Sequence, residues 1–368
     1  MSKPIYVTQP VLPELKDFIP YLEQIWENKI LTNGGPLHQQ LEQELCKYLC
    51  VDYISLFNNG TIALITALQA LNLEEGEVIT TPYTFVATAH SIVWNKFTPV
   101  FVDIDPITSN IDVQQVGQAI TEKTVAILPV HCYGIPCDVE GLQVLATKHK
   151  LKLIYDAAHA FGVEYNGQSL LNYGDLSTIS FHATKVFNTF EGGAVVCHSL
   201  EMKQRIDQLK NFGIVDETSV NDISLNGKLS EIHAALGLLQ LKTMNQTLQN
   251  RGKVDDYYRE LLANIEGIRC IERLKVEKDN YAYFPIVVSE PYPLSRNELF
   301  EKFKQHDVFA RKYFYPLMNE LSVYKSYKSD TPNAKLLSEQ VLCLPMYPDL
   351  TDNDIQKIVQ IIKSETAL

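Results

Sequence analysis

Hydrophobic residues in this chain fall into short runs separated by stretches of helical spacing. YISLF (53–57), EVIT (77–80), PVFVD (99–103), TVAILPV (124–130), LKLIYD (151–156), LSTISF (176–181) and GAVVCH (193–198) are rich in β-branched and aromatic residues and predict strands. Between them, 61–71, 112–121 and 138–150 carry apolar residues at helix intervals. Strand alternating with helix predicts an α/β fold with a mostly parallel central sheet covered on both faces. In such sheets ligands bind beyond the carboxyl ends of the strands. After about residue 228 the pattern becomes a long helical stretch (229–264), mixed elements such as YAYFPIVV (281–288), and a closing helix near 352–364. The change predicts a large domain over 1–240 and a smaller C-terminal α+β domain over 241–368, with 214–226 as a loop.

The length of 368 residues, between two and three ordinary domain equivalents, supports that division. With 46% hydrophobic and 21% charged residues, the composition is that of a soluble globular protein. A net charge of -12, from 32 basic and 44 acidic residues, argues against nucleic acid as a partner. The opening MSKPIYVTQPVLPELKDF resembles neither a secretory nor a transit signal, and no apolar run reaches membrane-spanning length. Seven cysteines without a C-x-x-C pair predict reduced thiols, a cytoplasmic location and no zinc site. The nine histidines lack metal-ligand spacing, so no metal is expected. P-loop, dinucleotide-binding, H-E-x-x-H and G-x-S-x-G signatures are absent.

Three groups at strand ends carry candidate chemistry. Asn58-Asn59-Gly60-Thr61 joins a strand to a helix, and its N–H groups form either a phosphate seat or an ordinary N-cap with a glycine turn. Asp156 ends LKLIYD, where a buried carboxylate needs a partner: the protonated ring nitrogen of a cofactor, a salt bridge or a helix cap. Lys185 follows the strand 177–181 and is either a solvated charge or an amine that condenses with an aldehyde cofactor. In order, these are a phosphate turn, an Asp about 95 residues on and a Lys 29 residues later, the layout of fold-type I pyridoxal phosphate (PLP) enzymes.

The segments NNGTIALITAL (58–68), TPYTFVATAHSI (81–92), PVFVDID (99–105), ILPVHCYGIPCD (127–138), YDAAHAFG (155–162), SFHATKVFNTFEGGAVV (180–196), NGKLSEIHAALGLLQL (226–241) and YFYPLM (313–318) carry a resemblance to the DegT/DnrJ/StrS family of PLP-dependent nucleotide-sugar aminotransferases. It extends from about Ile30 to the C-terminal helix. The resemblance implies a fold-type I (aspartate aminotransferase-like) architecture. It also implies that Lys185 carries the cofactor and shuttles a proton, Asp156 holds the pyridine nitrogen, and Gly60, Thr61 and Ser180 bind the phosphate. Phe85 would stack on the ring and His159 would lie near its hydroxyl. Asn226 would reach the cofactor phosphate of the neighbouring subunit in a homodimer with shared sites. Thr32, Asn33, Gly34, Tyr313 and Tyr315 are the implied substrate contacts. The implied reaction moves an amino group from L-glutamate to a dTDP-4-keto-6-deoxyhexose, through pyridoxamine phosphate, yielding dTDP-4-amino-4,6-dideoxyglucose and 2-oxoglutarate for O-antigen or other surface polysaccharide. The alternatives are a 3-amino or UDP-linked sugar enzyme, a pyridoxamine-dependent dehydratase, in which His is expected at the Lys185 position, or a regulatory protein on the same fold. Two departures stand out: His159 where the family commonly has Gln, and Asn226-Gly227-Lys228 where N-Y-R is usual.

Overall fold

The computed structural model describes residues 3–327 and 329–365, so residues 1–2, 328 and 366–368 of the two predicted domains lie outside the described residues. Seven strands form the central sheet: β1 (Tyr53–Phe57), β2 (Glu77–Thr80), β3 (Thr98–Phe101), β4 (Thr124–Ile127), β5 (Lys152–Asp156), β6 (Leu176–Ser180) and β7 (Gly193–Cys197). Their order is β1-β7-β6-β5-β4-β2-β3. Only β7 runs antiparallel to its neighbours, so the other six strands point their carboxyl ends to one edge. Helices α1 (Leu15–Asn28) and α2 (Pro36–Leu49) precede the sheet, and α3 (Gly60–Ala70), α4 (Val86–Trp94), α5 (Val113–Ala119), α6 (Val139–His149) and α7 (Leu200–Leu209) follow individual strands. The hydrophobic runs do not announce α1, which contains Pro20.

Alternation along the strands divides the core between the two faces of the sheet. Ile54, Leu56, Leu153, Tyr155, Ala194 and Val196 pack with Leu41 and Leu45 of α2 and Leu142 of α6. Phe57, Ile154, Val195 and Cys197 pack on the other face with Ala63 and Ala67 of α3 and Ile206 and Leu209 of α7.

Helix α8 (Glu231–Leu262) runs unbroken through residues 240 and 241, where the sequence predicts a domain boundary. Its Leu238, Met244 and Leu248 belong to the first core, and its Val254, Tyr258 and Leu262 to a second. The division we propose for the chain therefore falls inside a helix, between 248 and 254. The second core lies against an antiparallel sheet of β8 (Ile268–Cys270), β9 (Phe284–Val288) and β10 (Val341–Leu344), with α9 (Arg296–Gln305) and α11 (Asp352–Lys363); α10 (Pro332–Gln340) lies between them in sequence. A further cluster, with Tyr83 and Tyr133 from the large unit and Val287, Phe314 and Cys343 from the small one, joins the two.

The start of β7 sets how closely the β1–α3 turn approaches the sheet. A Cβ on Gly193 would lie 2.7 Å from the Asn59 carbonyl carbon and the Gly60 nitrogen. These are backbone atoms that cannot rotate away, so overpacking here is expected to cost ~1–3 kcal/mol. Gly193→Ala should lower the midpoint of thermal unfolding by several degrees. An unchanged midpoint in differential scanning fluorimetry would show that the turn yields.

Candidate active site

The carboxyl-end edge of the sheet opens into a cavity of about 310 Å³. Gly60, Thr61, Phe85, Asp156, His159, Ser180, Lys185 and Tyr313, all singled out from the sequence, line it. Thr84, His182, Thr184, Glu191, Tyr283, Arg311 and Phe314 line it too and were not singled out. Thr84 precedes the N-cap of α4 and Thr88 lies in its first turn, and their hydroxyls meet at 2.8 Å.

At the phosphate turn, Asn59 is the N-cap of α3, its Oδ1 accepting the Ile62 N–H at 2.8 Å. The capping alternative is thus realised by Asn59, and the first turn of α3 still presents Gly60 and Thr61 to the cavity. Gly60 allows a close approach, because a Cβ there would stand 3.0 Å from the Ser180 Cβ, tighter than ordinary packing. One helix N-terminus and the end of β6 are thereby pressed into a single small cradle, with the positive end of the helix dipole facing in.

Asp156 is 4% exposed. One carboxylate oxygen accepts from the Thr88 hydroxyl at 2.7 Å and the other from the Ala158 N–H at 3.1 Å. Because Thr88 donates to the carboxylate, its oxygen is left to accept from Thr84, 2.8 Å away. Burial pushes the Asp156 carboxyl above its ordinary value, while Thr88, Ala158 and the Lys185 charge pull it back. Neither a salt bridge nor a helix cap occupies it among the described residues.

Lys185 is half-buried, its Nζ 3.4 Å from the Tyr283 hydroxyl. Burial brings its ammonium down to about 8, with Asp156 acting in the opposite sense. The neutral fraction at pH 7 rises to roughly a tenth, far above that of an exposed lysine, which favours the nucleophilic amine over the solvated charge. His159 is driven well below its ordinary value by burial and by Lys185, so its imidazole is neutral. Its Nδ1 accepts the Tyr133 N–H at 3.3 Å, which leaves the proton on Nε2. The ring is fixed parallel to Phe314 and edge-on to Tyr283. Phe85, 54% exposed at the start of α4, offers an open aromatic face to the cavity.

Five predicted residues lie outside this chain's cavity lining. Thr32, Asn33 and Gly34 form a turn before α2 in which Asn33 and Gly34 have positive φ. That turn is tied down by Glu231, which donates its N–H to the Leu31 carbonyl and accepts the Leu37 and His38 N–H groups at its carboxylate. Tyr315 is 47% exposed beneath the Arg296 guanidinium. Asn226 lies beside the turn through its main chain, its carbonyl accepting from Asn58 at 3.3 Å. It does not cap α8, whose N-cap is Ser230. The neighbouring departures have local reasons. A Cβ at Gly227 would stand 2.8 Å from the Phe57 ring, leaving no room for a tyrosine. Lys228 bonds Asn211 at 2.8 Å and covers the Phe212 ring. No group of three or more His, Cys, Asp or Glu among the described residues could hold a metal, and no described helix is long and apolar enough to cross a membrane.

A model of the DegT/DnrJ/EryC1/StrS aminotransferase family matches residues 14–363. A dTDP-4-amino-4,6-dideoxy-D-glucose transaminase of Shigella dysenteriae is 56% identical over 365 residues, covering 99% of this chain and 99% of its own. An Escherichia coli protein of the same name is 50% identical over 369 residues, with 98% of each covered. Among solved structures, DesI in the presence of its TDP-sugar product aligns with a TM-score of 0.94 at 33% identity, over 99% of this chain and 93% of that one.

The position of Lys185 gives a pH expectation for the cofactor-free protein. Its folded pKa is depressed to about 8 against ~10.4 when unfolded. Between these values the unfolded state binds more protons, so the Lys185 contribution to stability rises with pH across that window. Amine acylation of Lys185, followed by peptide mapping, should be half-maximal near pH 8, whereas exposed lysines need more alkaline solution. Asp156→Asn removes the charge that holds the proton on Lys185 and should move the midpoint lower. A midpoint above 10 would contradict the burial argument.

Proposed function

This chain belongs to the DegT/DnrJ/EryC1/StrS aminotransferase family and is a fold-type I, PLP-dependent nucleotide-sugar aminotransferase. From that premise we propose that it aminates the keto carbon of a dTDP-4-keto-6-deoxyhexose with L-glutamate as donor, giving dTDP-4-amino-4,6-dideoxyglucose and 2-oxoglutarate. The reading is carried by the 56% full-length identity to the Shigella dysenteriae transaminase of that product name. The product would serve O-antigen, lipopolysaccharide or another surface polysaccharide, made in the cytoplasm.

The side chains present fit the cofactor. The Gly60–Ser180 cradle is packed so closely that an added Cβ would press on Ser180 at 3.0 Å, and the buried Asp156 carboxylate lacks an ion-pair partner within salt-bridge distance among the described residues. When bound, PLP supplies an electron sink that stabilises negative charge on the carbon next to the transferred nitrogen. Lys185 would hold the cofactor through Nζ and, once released, carry a proton to and from the substrate carbon, a task suited to an amine whose pKa is brought near neutrality. Asp156 would keep the ring nitrogen protonated, its carboxylate fixed by Thr88 and Ala158. Gly60, Thr61 and Ser180 would hold the phosphate, Phe85 would cover one ring face, and His159 would donate from Nε2 to the ring hydroxyl. This replaces the usual glutamine by another neutral donor.

Asn226 and the Thr32–Gly34 turn are absent from the cavity lining of their own chain. That supports their acting on the partner's site in a two-fold homodimer, each subunit presenting the same patch to the other. Tyr313, on the cavity wall, and Tyr315 complete the substrate contacts of this reading.

Glutamate and a small panel of dTDP- and UDP-keto sugars, with the product identified by NMR, test the reaction. A product aminated at another ring position, or turnover confined to UDP sugars, would replace the proposed substrate. In the same assay Asp156→Asn should lower the half-reaction rate at least about a hundredfold, corresponding to ~3 kcal/mol for an unpaired buried charge. Mixed dimers test the shared site. Lys185→Ala and Asn226→Asp are each expected to be nearly inactive alone. Refolded together in equal amounts they should recover about one quarter of wild-type sites, from random pairing. Activity no greater than the sum of the parents would assign Asn226 to its own chain.

A further inference from the structure

In the proposed reaction the released Lys185 amine must aim its lone pair at a substrate carbon, yet a lysine side chain is a flexible stem with no preferred direction in an open cavity. Its charged and titratable neighbours are already engaged. The Asp156 oxygens accept from Thr88 and Ala158, and the His159 Nδ1 accepts from Tyr133. Among the described residues Nζ makes one hydrogen bond, donating to the Tyr283 hydroxyl at 3.4 Å. The same nitrogen stands 5.9 Å from the centre of the Tyr283 ring, so it meets the phenol at its oxygen.

Tyr283 ends a short strap, 279–283, that leads into β9 and is gripped by buried side chains. Asn280, wholly buried, donates to the His159 and Phe161 carbonyls at 2.7 and 3.0 Å and accepts the Ala282 N–H at 3.1 Å. Arg251 lies on α8 between Leu248 of the first core and Val254 of the second. It is also buried, and it donates to the Tyr281 and Ala282 carbonyls at 3.0 and 2.9 Å. The Tyr283 ring is then wedged edge-on against His159, Tyr133 and Tyr313. With main chain and ring both held, the hydroxyl has a fixed position, and Lys185 is its one hydrogen-bond partner among the described residues. Burial, reinforced by Tyr313, holds the phenol well above its ordinary value, so it stays neutral. A carboxylate in its place would pair with the ammonium and retain the proton on it. A neutral oxygen accepts one N–H and leaves the lone pair free to exchange a proton.

We infer that Tyr283 is a further catalytic residue of this site, its hydroxyl oxygen accepting one N–H of the released Lys185 amine and aiming the lone pair at the substrate carbon. The inference rests on the proposed role of Lys185. The amine takes the proton from that carbon, whose bonding pair is drawn toward the cofactor, and becomes an ammonium. It then gives the same proton to the neighbouring acceptor carbon and is an amine again. Tyr283 gains and loses no proton. Its bond to Lys185 is stronger while the nitrogen is charged, which favours the first transfer.

Tyr283→Phe keeps the ring contacts and removes the oxygen. Borohydride reduction of the PLP-loaded enzyme, followed by peptide mapping, first locates the lysine that holds the cofactor. Cofactor fixed on another lysine overturns the proposed site and this inference together, whereas with Lys185 labelled the remaining results bear on Tyr283 alone. In single turnovers with L-glutamate, the saturating rate of the variant should fall about 10- to 100-fold at an unchanged half-saturating concentration. Its isotope effect with 2-deuterated glutamate should equal or exceed that of wild type. In enzyme loaded with pyridoxamine phosphate, where Lys185 is free, the midpoint of Lys185 acylation should move about one pH unit lower, because the ammonium loses an acceptor. Cofactor content and unfolding midpoint should match wild type. An unmoved acylation midpoint or an unchanged rate overturns the inference. Loss of cofactor or of stability would make the phenol a structural group, and weaker glutamate binding at an unchanged rate would make it a donor contact; either overturns it equally. If the wild type does not respond to L-glutamate, the donor assignment falls and the acylation midpoint alone decides for or against Tyr283.

Discussion

The buried carboxylate of Asp156 is the constraint around which the large unit is arranged. An ionised group at 4% exposure is tolerated only when its oxygens are engaged and a positive partner is at hand. Strand β5 delivers it to the carboxyl edge of the sheet between β4 and β6, and α4 must lie so that Thr88 meets one oxygen while the chain turns at Ala157-Ala158 to bring an N–H to the other. These two donors oppose the desolvation that would neutralise the group. Lys185 shares the cavity and is shifted by the same burial in the opposite direction. The site thus contains an acid made harder to ionise and an amine made easier to deprotonate. In the function proposed for this chain, such a pair would receive a pyridinium ring.

The cavity is enclosed from the small unit, and a set of phenols aligns the two halves. Tyr83 and Tyr133, on loops after β2 and β4, converge on the main-chain carbonyl of Tyr313. Tyr83 is wholly buried, so its hydroxyl must find partners, and the Tyr133 hydroxyl and the Tyr313 carbonyl of the small unit supply them. Through that contact Arg311, Tyr313 and Phe314 become part of the cavity wall. Tyr283, leading into β9, brings its ring to Lys185 and His159 from the same side. Helix α8, belonging to both cores, keeps the two units in this relation.

Both departures from the family pattern are accommodated locally. His159 is locked by the Tyr133 N–H and by flanking rings, so a titratable residue behaves as a neutral donor of fixed direction. Gly227 fits because Phe57 fills the space a side chain would need, and Lys228 turns to Asn211 and the Phe212 ring.

The seven strands, their parallel majority and the residues that end them were legible in the sequence because each rests on local information. Apolar periodicity marks a strand, a strand end marks a ligand edge, and Gly60, Asp156 and Lys185 occupy such ends. Asn59 as a helix cap was readable for the same reason. Other features depended on the distance between segments far apart in the chain. Nothing around Gly193 says that its lost side chain makes room for the turn at Asn59-Gly60. Arg311 and Tyr283 enter the cavity only because the small sheet docks across the phenols of the large one. Helix α8 could not be seen as shared, since its residues at 238–248 and 254–262 have the same helical spacing and differ only in the core that receives them. Periodicity and turn chemistry act over a few residues and are written in order along the chain. Burial, close approach and the pKa shifts they cause are set by neighbours that folding alone brings together.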